Sequence, residues 1–173
     1  VRVVGDDDAL LPVGGIGHIQ VRGDNVFAGY WGLPEKTREE FTADGFFRTG
    51  DMGRFDSEGY LAIIGRDKDL IISGGLNVYP KEIEEAIDAL PGVAESAVIG
   101  LPHPDFGEAV TAVVVRGRDA SGLTAEGIIA ALKGNIAGFK VPKAVHFVDD
   151  LPRNAMGKVQ KNLLRERFGE IRS

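Results

Sequence analysis

Residues 65–84 constrain the fold of this chain more than any other stretch. Residues 66–69 are all charged (Arg-Asp-Lys-Asp), so this run is not expected to lie in a core. The short apolar run at 70–72 is typical of a buried strand. The Ser-Gly-Gly sequence at 73–75 allows a sharp turn, or a close approach of another molecule to the main chain. From Pro80 the pattern predicts a helix over 80–90, so a solvated joint precedes a new strand–helix unit.

This stretch resembles a segment of the adenylate-forming superfamily, which includes acyl-CoA synthetases, luciferases and peptide-synthetase adenylation domains. The family segment, G-R-x-[KD]-D-x-I-x-x-x-G-x-N-x-x-P-x-E-I-E, joins a large domain to a small mobile one. Eleven positions of this chain match it in order: Gly65, Arg66, Lys68, Asp69, Ile71, Gly75, Asn77, Pro80, Glu82, Ile83 and Glu84. The resemblance implies that residues 1–66 are the β-rich last subdomain of the large domain and that 67–173 form a mobile C-terminal lid. It places the hinge at about 67–69, with Lys68 at the hinge position.

The patterns of strands and helices predict an α+β chain. Up to about residue 64, extended pieces at 16–21, 26–31 and 60–64 alternate with turn residues, which favours a barrel-like or meander subdomain. A short helix is expected at 34–41. After the joint, strands at 93–100, 109–115 and 144–148 alternate with helices at 80–90, 124–137 and 161–168. Thr124 is the expected N-cap of the second of these helices.

Composition excludes several classes of function. The chain has 173 residues and no cysteine, so disulfides and cysteine-bound metals are excluded. Its three histidines are scattered without ligand spacing, and no metal site is predicted. The net charge of −6 argues against a general nucleic-acid binder. No apolar run of membrane-spanning length and no signal-peptide pattern is found, so we expect a cytoplasmic protein without a membrane partner.

The sequence Phe-Arg-Thr-Gly-Asp at 47–51 matches the superfamily's [YF]-R-T-G-D motif. An ionised carboxylate has acceptor oxygens spaced to bind a vicinal diol. Taken alone, Gly50-Asp51 is more typical of a simple turn. The resemblance implies that Asp51 binds the ribose hydroxyls of the nucleotide. It also implies that Arg66 supports the same ribose or a nucleotide phosphate.

Two further sites follow from the resemblance. Ser73, Gly74 and Gly75 are expected to approach the pantetheine arm of CoA, because glycine leaves no side chain in its path. Residues 152–158 match the family's P-R-x-x-x-G-K loop, whose lysine, here Lys158, bridges the substrate carboxylate and the α-phosphate during adenylation. The same residues are not a phosphate-binding P-loop, since the leading glycine and trailing Ser/Thr are missing. The loop also resembles sites of lysine acetylation, so an acetyltransferase and a deacetylase are expected partners.

Residues 29–31, 34–37, 74–84, 95–100 and 152–162 resemble the malonyl-CoA synthetase branch of the superfamily. The branch implies the C-terminal fragment of an AMP-forming ligase that joins malonate to CoA with ATP, within fatty acid metabolism. Mg²⁺ would be held mainly by an upstream part that also contains the acid pocket and the phosphate loop, so the fragment alone is expected to be inactive. A fatty- or aryl-acid CoA ligase and an adenylation unit loading a carrier protein remain alternatives. A non-catalytic binding module is less compatible with the presence of Asp51, Arg66 and Lys158.

Overall fold

The computed structural model describes residues 1–169, and the chain divides into two compact units. The first is Val1–Lys68 and the second begins at Asp69. Their assignment to the end of a large domain and to a lid with a hinge at 67–69 stays a prediction. The predicted lid runs to Ser173, and its residues 170–173 lie outside the described residues. Each unit is built around its own sheet, so the fold is α+β as predicted.

The first unit contains a four-stranded antiparallel sheet in which each strand pairs with the next along the chain. Of the two architectures predicted, a barrel-like subdomain and a meander, the sheet is the meander. Its strands are β1 (Arg2–Val4), β2 (Gly17–Val21), β3 (Phe47–Phe55) and β4 (Leu61–Arg66). Helix α1 (Pro34–Glu40) lies between β2 and β3 and begins at a proline.

The piece at 26–31, predicted to be extended, is irregular and belongs to no strand. Its apolar residues serve a different purpose, because Phe27 packs edge-on against Tyr30, Phe41 and Phe47 with ring centroids 5.0–5.7 Å apart. An aromatic cluster of this kind can hold a loop against a sheet without strand pairing. The aromatic residues that suggested a strand therefore stabilise a loop.

The second unit contains a five-stranded mixed sheet. Its strands are β5 (Ile71–Ser73), β6 (Leu76–Val78), β7 (Val93–His103), β8 (Gly107–Arg116) and β9 (Ala144–Val148). The long antiparallel pair of β7 and β8 forms its centre. Strand β5 meets β8 at one end, where Ser73 pairs with Gly107, and β9 runs parallel to β8 farther along.

Three α-helices accompany this sheet: α2 (Pro80–Asp88), α3 (Ala125–Leu132) and α4 (Lys161–Gly169). A 3₁₀ turn, Gly138–Lys140, precedes β9. Thr124 is the N-cap of α3, as predicted, because its hydroxyl oxygen accepts a hydrogen bond from the backbone N–H of Gly127 (3.0 Å). Helix α3 ends at Leu132 rather than at the predicted residue 137, because Gly134 and Asn135, which follow it, are poor helix formers.

The sheet of the second unit separates two apolar clusters. In β7, Val98 belongs to one cluster while Ala97, Ile99 and Leu101 belong to the other, as the alternation of side chains along a strand requires. Helices α2 and α3 cover the first face, and α4 covers the second through Leu164 and Phe168. Helix α4 follows directly on the loop that contains Lys158, so this loop lies at the edge of the second cluster. Within residues 1–169 no helix is long and apolar enough to cross a membrane.

Candidate functional site

Asp51 and Arg66 face each other across strands β3 and β4, where their Cα atoms are register partners. Arg66 Nε lies 2.9 Å from Asp51 Oδ1. The Asp51 side chain is 26% exposed, and among residues 1–169 its other oxygen, Oδ2, has no hydrogen-bond partner. A partly exposed carboxylate oriented by one arginine can accept hydrogen bonds from a diol while the arginine balances its charge. The structure thus brings together Asp51 and Arg66, two of the three residues that were predicted to bind the nucleotide.

The backbone leading to Asp51 is fixed locally. The Thr49 hydroxyl donates to the carbonyl of Ile19 (2.8 Å) and accepts from the backbone N–H of Asp51 (3.1 Å). Gly50 between them has φ +72°, a left-handed conformation that favours glycine. The pairing of β3 with β4 also shifts register just after Met52, and such bulges redirect side chains. The motif at 47–51 is therefore a shaped end of β3 rather than a simple turn.

Arg48 of the same motif makes an intramolecular contact. Its guanidinium donates to both carboxylate oxygens of Asp8, at 2.7 and 2.6 Å. The hydrogen bonds from Arg48 and, second, from the Gln20 amide lower the pKa of Asp8 to about 2. Asp8 has a left-handed backbone (φ 60°), which few residues other than glycine adopt. Arg48 therefore ties the N-terminal turn to β3, a role that the sequence did not reveal.

Lys68 is the exposed middle residue of the 3₁₀ turn Asp67–Asp69 and the last residue of the first unit. The next residue, Asp69, accepts a hydrogen bond from Arg165 Nη2 of helix α4 (3.3 Å). The second unit is thus anchored at its first residue. The hinge role of Lys68 stays a prediction.

Ser73, Gly74 and Gly75 lie at the turn between β5 and β6. Ser73 pairs with Leu76, and Gly74 and Gly75 both have positive φ (60° and 79°), as a two-residue type I′ hairpin turn requires. Ser73 is nearly buried, whereas the two glycines expose their backbone. The hairpin alone accounts for both glycines, and their contact with CoA stays a prediction.

Lys158 lies at the end of a tight hairpin, exposed to solvent. The N–H of Asn154 donates to the carbonyl of Lys158 (2.9 Å), and the N–H of Gly157 donates to the carbonyl of Asn154 (2.9 Å). Among residues 1–169 the Lys158 ammonium has no hydrogen-bond or ion-pair partner. The backbone of Lys158 is fixed while its ammonium is available, so this side chain is suited to bind an anionic group that arrives from outside the unit.

Lys161, three residues farther on, is held very differently. Its Nζ lies 2.6 Å from Glu84 Oε1, and the two side chains are 15% and 19% exposed. The same Glu84 oxygen accepts a hydrogen bond from the backbone N–H of Val98 (2.7 Å). In the sequence, Glu84 is recognisable only as a match to the family segment. The structure shows that it joins α2, β7 and α4, a role with no local sequence signal because its partners are distant in the chain.

Comparisons with known proteins agree with this geometry. Residues 82–158 match the family model of the AMP-binding enzyme C-terminal domain. The chain is therefore similar to the C-terminal part of adenylate-forming enzymes. Ninety-nine per cent of the chain aligns with ATP-bound MatB from Rhodopseudomonas palustris at 59% identity and a TM-score of 0.91, covering 34% of that chain. A feruloyl-CoA synthase from Amycolatopsis sp is 46% identical over 169 residues, which are 98% of this chain and 34% of the relative. FadD13, a long-chain-fatty-acid–CoA ligase of Mycobacterium tuberculosis, is 45% identical over 94% of this chain and 32% of its own length.

The chain thus spans about a third of the length of the curated relatives it matches. Of the groups expected in an adenylate-forming enzyme, a nucleotide fits the Asp51–Arg66 pair, because the Asp51 carboxylate is oriented by Arg66 and still 26% exposed. For Mg²⁺ the described residues offer no comparable site. Among residues 1–169 no group of three or more His, Cys, Asp or Glu side chains could hold a metal ion. The expectation that Mg²⁺ is bound mainly by another part of the enzyme stays a prediction.

Proposed function

We propose that this chain is the C-terminal part of an AMP-forming acid–CoA ligase. The complete enzyme joins a carboxylic acid to ATP, releases pyrophosphate, and then transfers the acyl group from the adenylate to CoA with release of AMP. The observation that supports this most directly is the identity of 45–59% over nearly the whole chain to CoA ligases and to MatB. The oriented Asp51–Arg66 pair and the unpartnered Lys158 ammonium are the chemistry that such a reaction needs.

In this proposal each residue has a separate task. Asp51 accepts hydrogen bonds from the ribose hydroxyls, and Arg66 orients its carboxylate. Lys158 contacts the α-phosphate and the substrate carboxylate and stabilises the negative charge that develops as pyrophosphate leaves. Lys68 is the hinge, and the exposed backbone of Gly74 and Gly75 lies beside the pantetheine arm of CoA. Acetylation of Lys158 by a protein acetyltransferase, reversed by a deacetylase, would switch adenylation off because it removes the charge.

We propose malonate as the acid. The support is the likeness to MatB, a malonyl-CoA synthetase. Its 59% identity to this chain exceeds the 45–46% of the feruloyl-CoA and long-chain relatives quoted above. The second candidate is an aryl or fatty acid, because curated relatives at 45–46% identity are named for feruloyl and long-chain acids. ATP and CoA are the proposed co-substrates in both cases, with Mg²⁺ accompanying ATP.

A panel of acids tests the proposal with the full-length protein that contains this chain. Malonate, ferulate, palmitate and indoleacetate are each supplied with ATP, Mg²⁺ and CoA, and pyrophosphate and thioester are both measured. We expect malonate to give the highest kcat/KM for both products. Higher activity with ferulate or palmitate would replace malonate by the second candidate. Pyrophosphate without any thioester from any acid would contradict the CoA ligase itself, and thioester formed on a carrier protein supplied in place of CoA would indicate an adenylation unit.

A further inference from the structure

The side chain of Arg153 ties the loop that presents Lys158 to the sheet. We propose that Arg153 is a positioning residue for Lys158, because it holds the peptide group from which Lys158 begins. The proposal rests on the proposed function of Lys158 in adenylation. It assigns to Arg153 a task distinct from nucleotide binding.

The loop itself is a closed hairpin. Arg153 and Val159 form an antiparallel bridge, and Gly157 has φ +77°. The Asn154 side-chain oxygen accepts hydrogen bonds from the backbone N–H groups of Met156 and Lys158, both at 3.0 Å. A type I turn followed by a left-handed glycine is a common three-residue hairpin connection. These bonds shape the turn but do not connect it to the rest of the unit.

Arg153 makes that connection. Its Nη1 donates to the carbonyl oxygen of Gly157 (2.8 Å), while Nη2 donates to Glu95 Oε2. Glu95 lies on β7, where it pairs with Val115 of β8 just after a shift in register. A bulge of this kind redirects the side chain beside it. One guanidinium therefore joins the turn to the central strand pair of the second unit.

The carbonyl that Arg153 holds is the one that matters for Lys158. The Gly157 carbonyl and the Lys158 nitrogen belong to the same planar peptide group. Fixing the carbonyl oxygen therefore fixes the plane from which the Lys158 Cα and side chain extend. The N–H of the same peptide group is bonded within the turn to the Asn154 side-chain oxygen (3.0 Å), so Arg153 adds the contact that fixes this plane relative to β7. A forked guanidinium can bond both acceptors at once, which an ammonium at the same place cannot do with the same geometry.

The Arg153 and Glu95 side chains are 39% and 31% exposed. Partly exposed ion pairs add little to global stability. We therefore expect the loss of Arg153 to change the direction of Lys158 more than the stability of the fold. An error of about 1 Å in a catalytic group can reduce a rate about a hundredfold.

Variants of the full-length protein separate the carbonyl contact from the ion pair. Arg153→Ala should slow adenylation about ten- to hundredfold, while thioester formation from presynthesised adenylate stays near wild type. The double charge swap Glu95→Arg with Arg153→Glu restores the attraction but leaves no donor at 153 for the Gly157 carbonyl. It should be as slow as Arg153→Ala. Arg153→Lys, which keeps one donor group, should fall between. Recovery in the swap, or equal loss in both half-reactions, would overturn the proposal.

A second readout does not depend on catalysis. In the full-length protein, Arg153→Ala should speed hydrogen exchange at the amides of Met156 and Lys158 and leave those of β7 and β8 unchanged. The matched control is Arg116→Ala, which removes another arginine bonded to a backbone carbonyl, that of Leu123, away from this loop. Unaltered exchange in Arg153→Ala would also overturn the proposal. By contrast, Lys158→Ala with normal adenylation would overturn the proposed function. Impaired Lys158→Ala beside a normal Arg153→Ala would refute the positioning role alone.

Discussion

The two units hold their functional side chains in opposite ways. Asp51 lies on a paired strand, and Arg66 on the neighbouring strand fixes one of its oxygens at 2.9 Å. Lys158 has a fixed backbone, but within the described residues its ammonium contacts no partner. In the proposed function, the Asp51 carboxylate binds the same ribose in every step and benefits from a permanent partner. Lys158 is proposed to act in one step and needs an ammonium that is free before and after that step.

The units also differ in how they are stabilised. The sheet of the second unit is covered on both faces by the apolar clusters described above. The first unit keeps several large apolar side chains exposed, including Leu10, Val13 and a fully exposed Trp31. Both units also contain ion pairs, such as Arg48–Asp8 in the first and Lys161–Glu84 in the second. Because both apolar clusters lie in the second unit, the first should depend relatively more on its charged ties than on packing.

The largest expected effect comes from Lys158→Ala in the full-length protein. Losing one charged contact in the transition state costs about 3–4 kcal/mol, or roughly a hundred- to thousandfold in the adenylation rate. Thioester formation from supplied acyl-adenylate should change far less. Pyrophosphate release and thioester formation measure the two steps. The control is Lys133→Ala, an exposed lysine that follows α3.

Equal losses in both steps would mean that Lys158 supports the fold rather than the reaction. The contrast with Lys161 gives a second check on the same residue. An acetylating reagent should modify the exposed Lys158 before Lys161, which is 15% exposed and paired with Glu84. Acetylated Lys158 should reproduce the alanine variant, because both lack the charge.

The next effect concerns Lys68, the residue at which the two units meet in the chain. If two arrangements of the units alternate, the backbone here must adopt two sets of dihedral angles. Proline at 68 fixes its own φ near −65° and disfavours the helical region for Asp67. Lys68→Pro in the full-length protein should therefore impair one half-reaction about a hundredfold, most strongly the thioester step, and largely spare the other. Lys68→Ala is the control and should retain both rates, since an exposed charge contributes little. Two normal rates in Lys68→Pro would place the hinge elsewhere.

Local signals in the sequence predicted much of this fold. Strand β9 was predicted with its observed limits, Ala144–Val148, because a run of apolar and β-branched residues between turns is a local pattern. Thr124 was identified as a cap for the same reason. The prediction of a strand at 26–31 was wrong, because the aromatic side chains of this segment contact residues such as Phe47 that are distant in sequence. Periodicity does not report such contacts.

The candidate site shows the same division. Asp51, Arg66 and Lys158 were identified because motifs preserve their order in the chain. The cross-strand pairing of Asp51 with Arg66 depends on the register of β3 and β4, which only the folded sheet determines. The structural roles of Arg153 and Glu84 were missed. Arg153 contacts the nearby Gly157 but also the distant Glu95. Both partners of Glu84, Lys161 and Val98, are distant in sequence. The spacing of Asn154 and Gly157 is a local signal that could have indicated a shaped turn.

The smallest expected effect, and the sharpest test of the charged ties in the first unit, concerns Asp8. Its pKa is lowered from 3.8 to about 2 in the folded protein, first by the hydrogen bond from Arg48. A lowered pKa means that the folded state binds this proton less readily than the unfolded state does. The ionised carboxylate therefore stabilises the fold fully above about pH 4, and this contribution is lost as the pH falls from about 4 to 2.

Asp8→Asn removes the charge, and asparagine tolerates the left-handed backbone at this position. Urea unfolding should be followed by NMR signals of β2 and β3 between pH 2 and 6. The wild-type protein should be more stable than Asp8→Asn above pH 4, and the difference should shrink towards pH 2. Signals of β7 and β8 provide the internal control and should show the same pH profile in both proteins. A stability difference that does not vary with pH would mean that Arg48 holds Asp8 by geometry alone, and the proposed contrast between charged ties and apolar packing would fail.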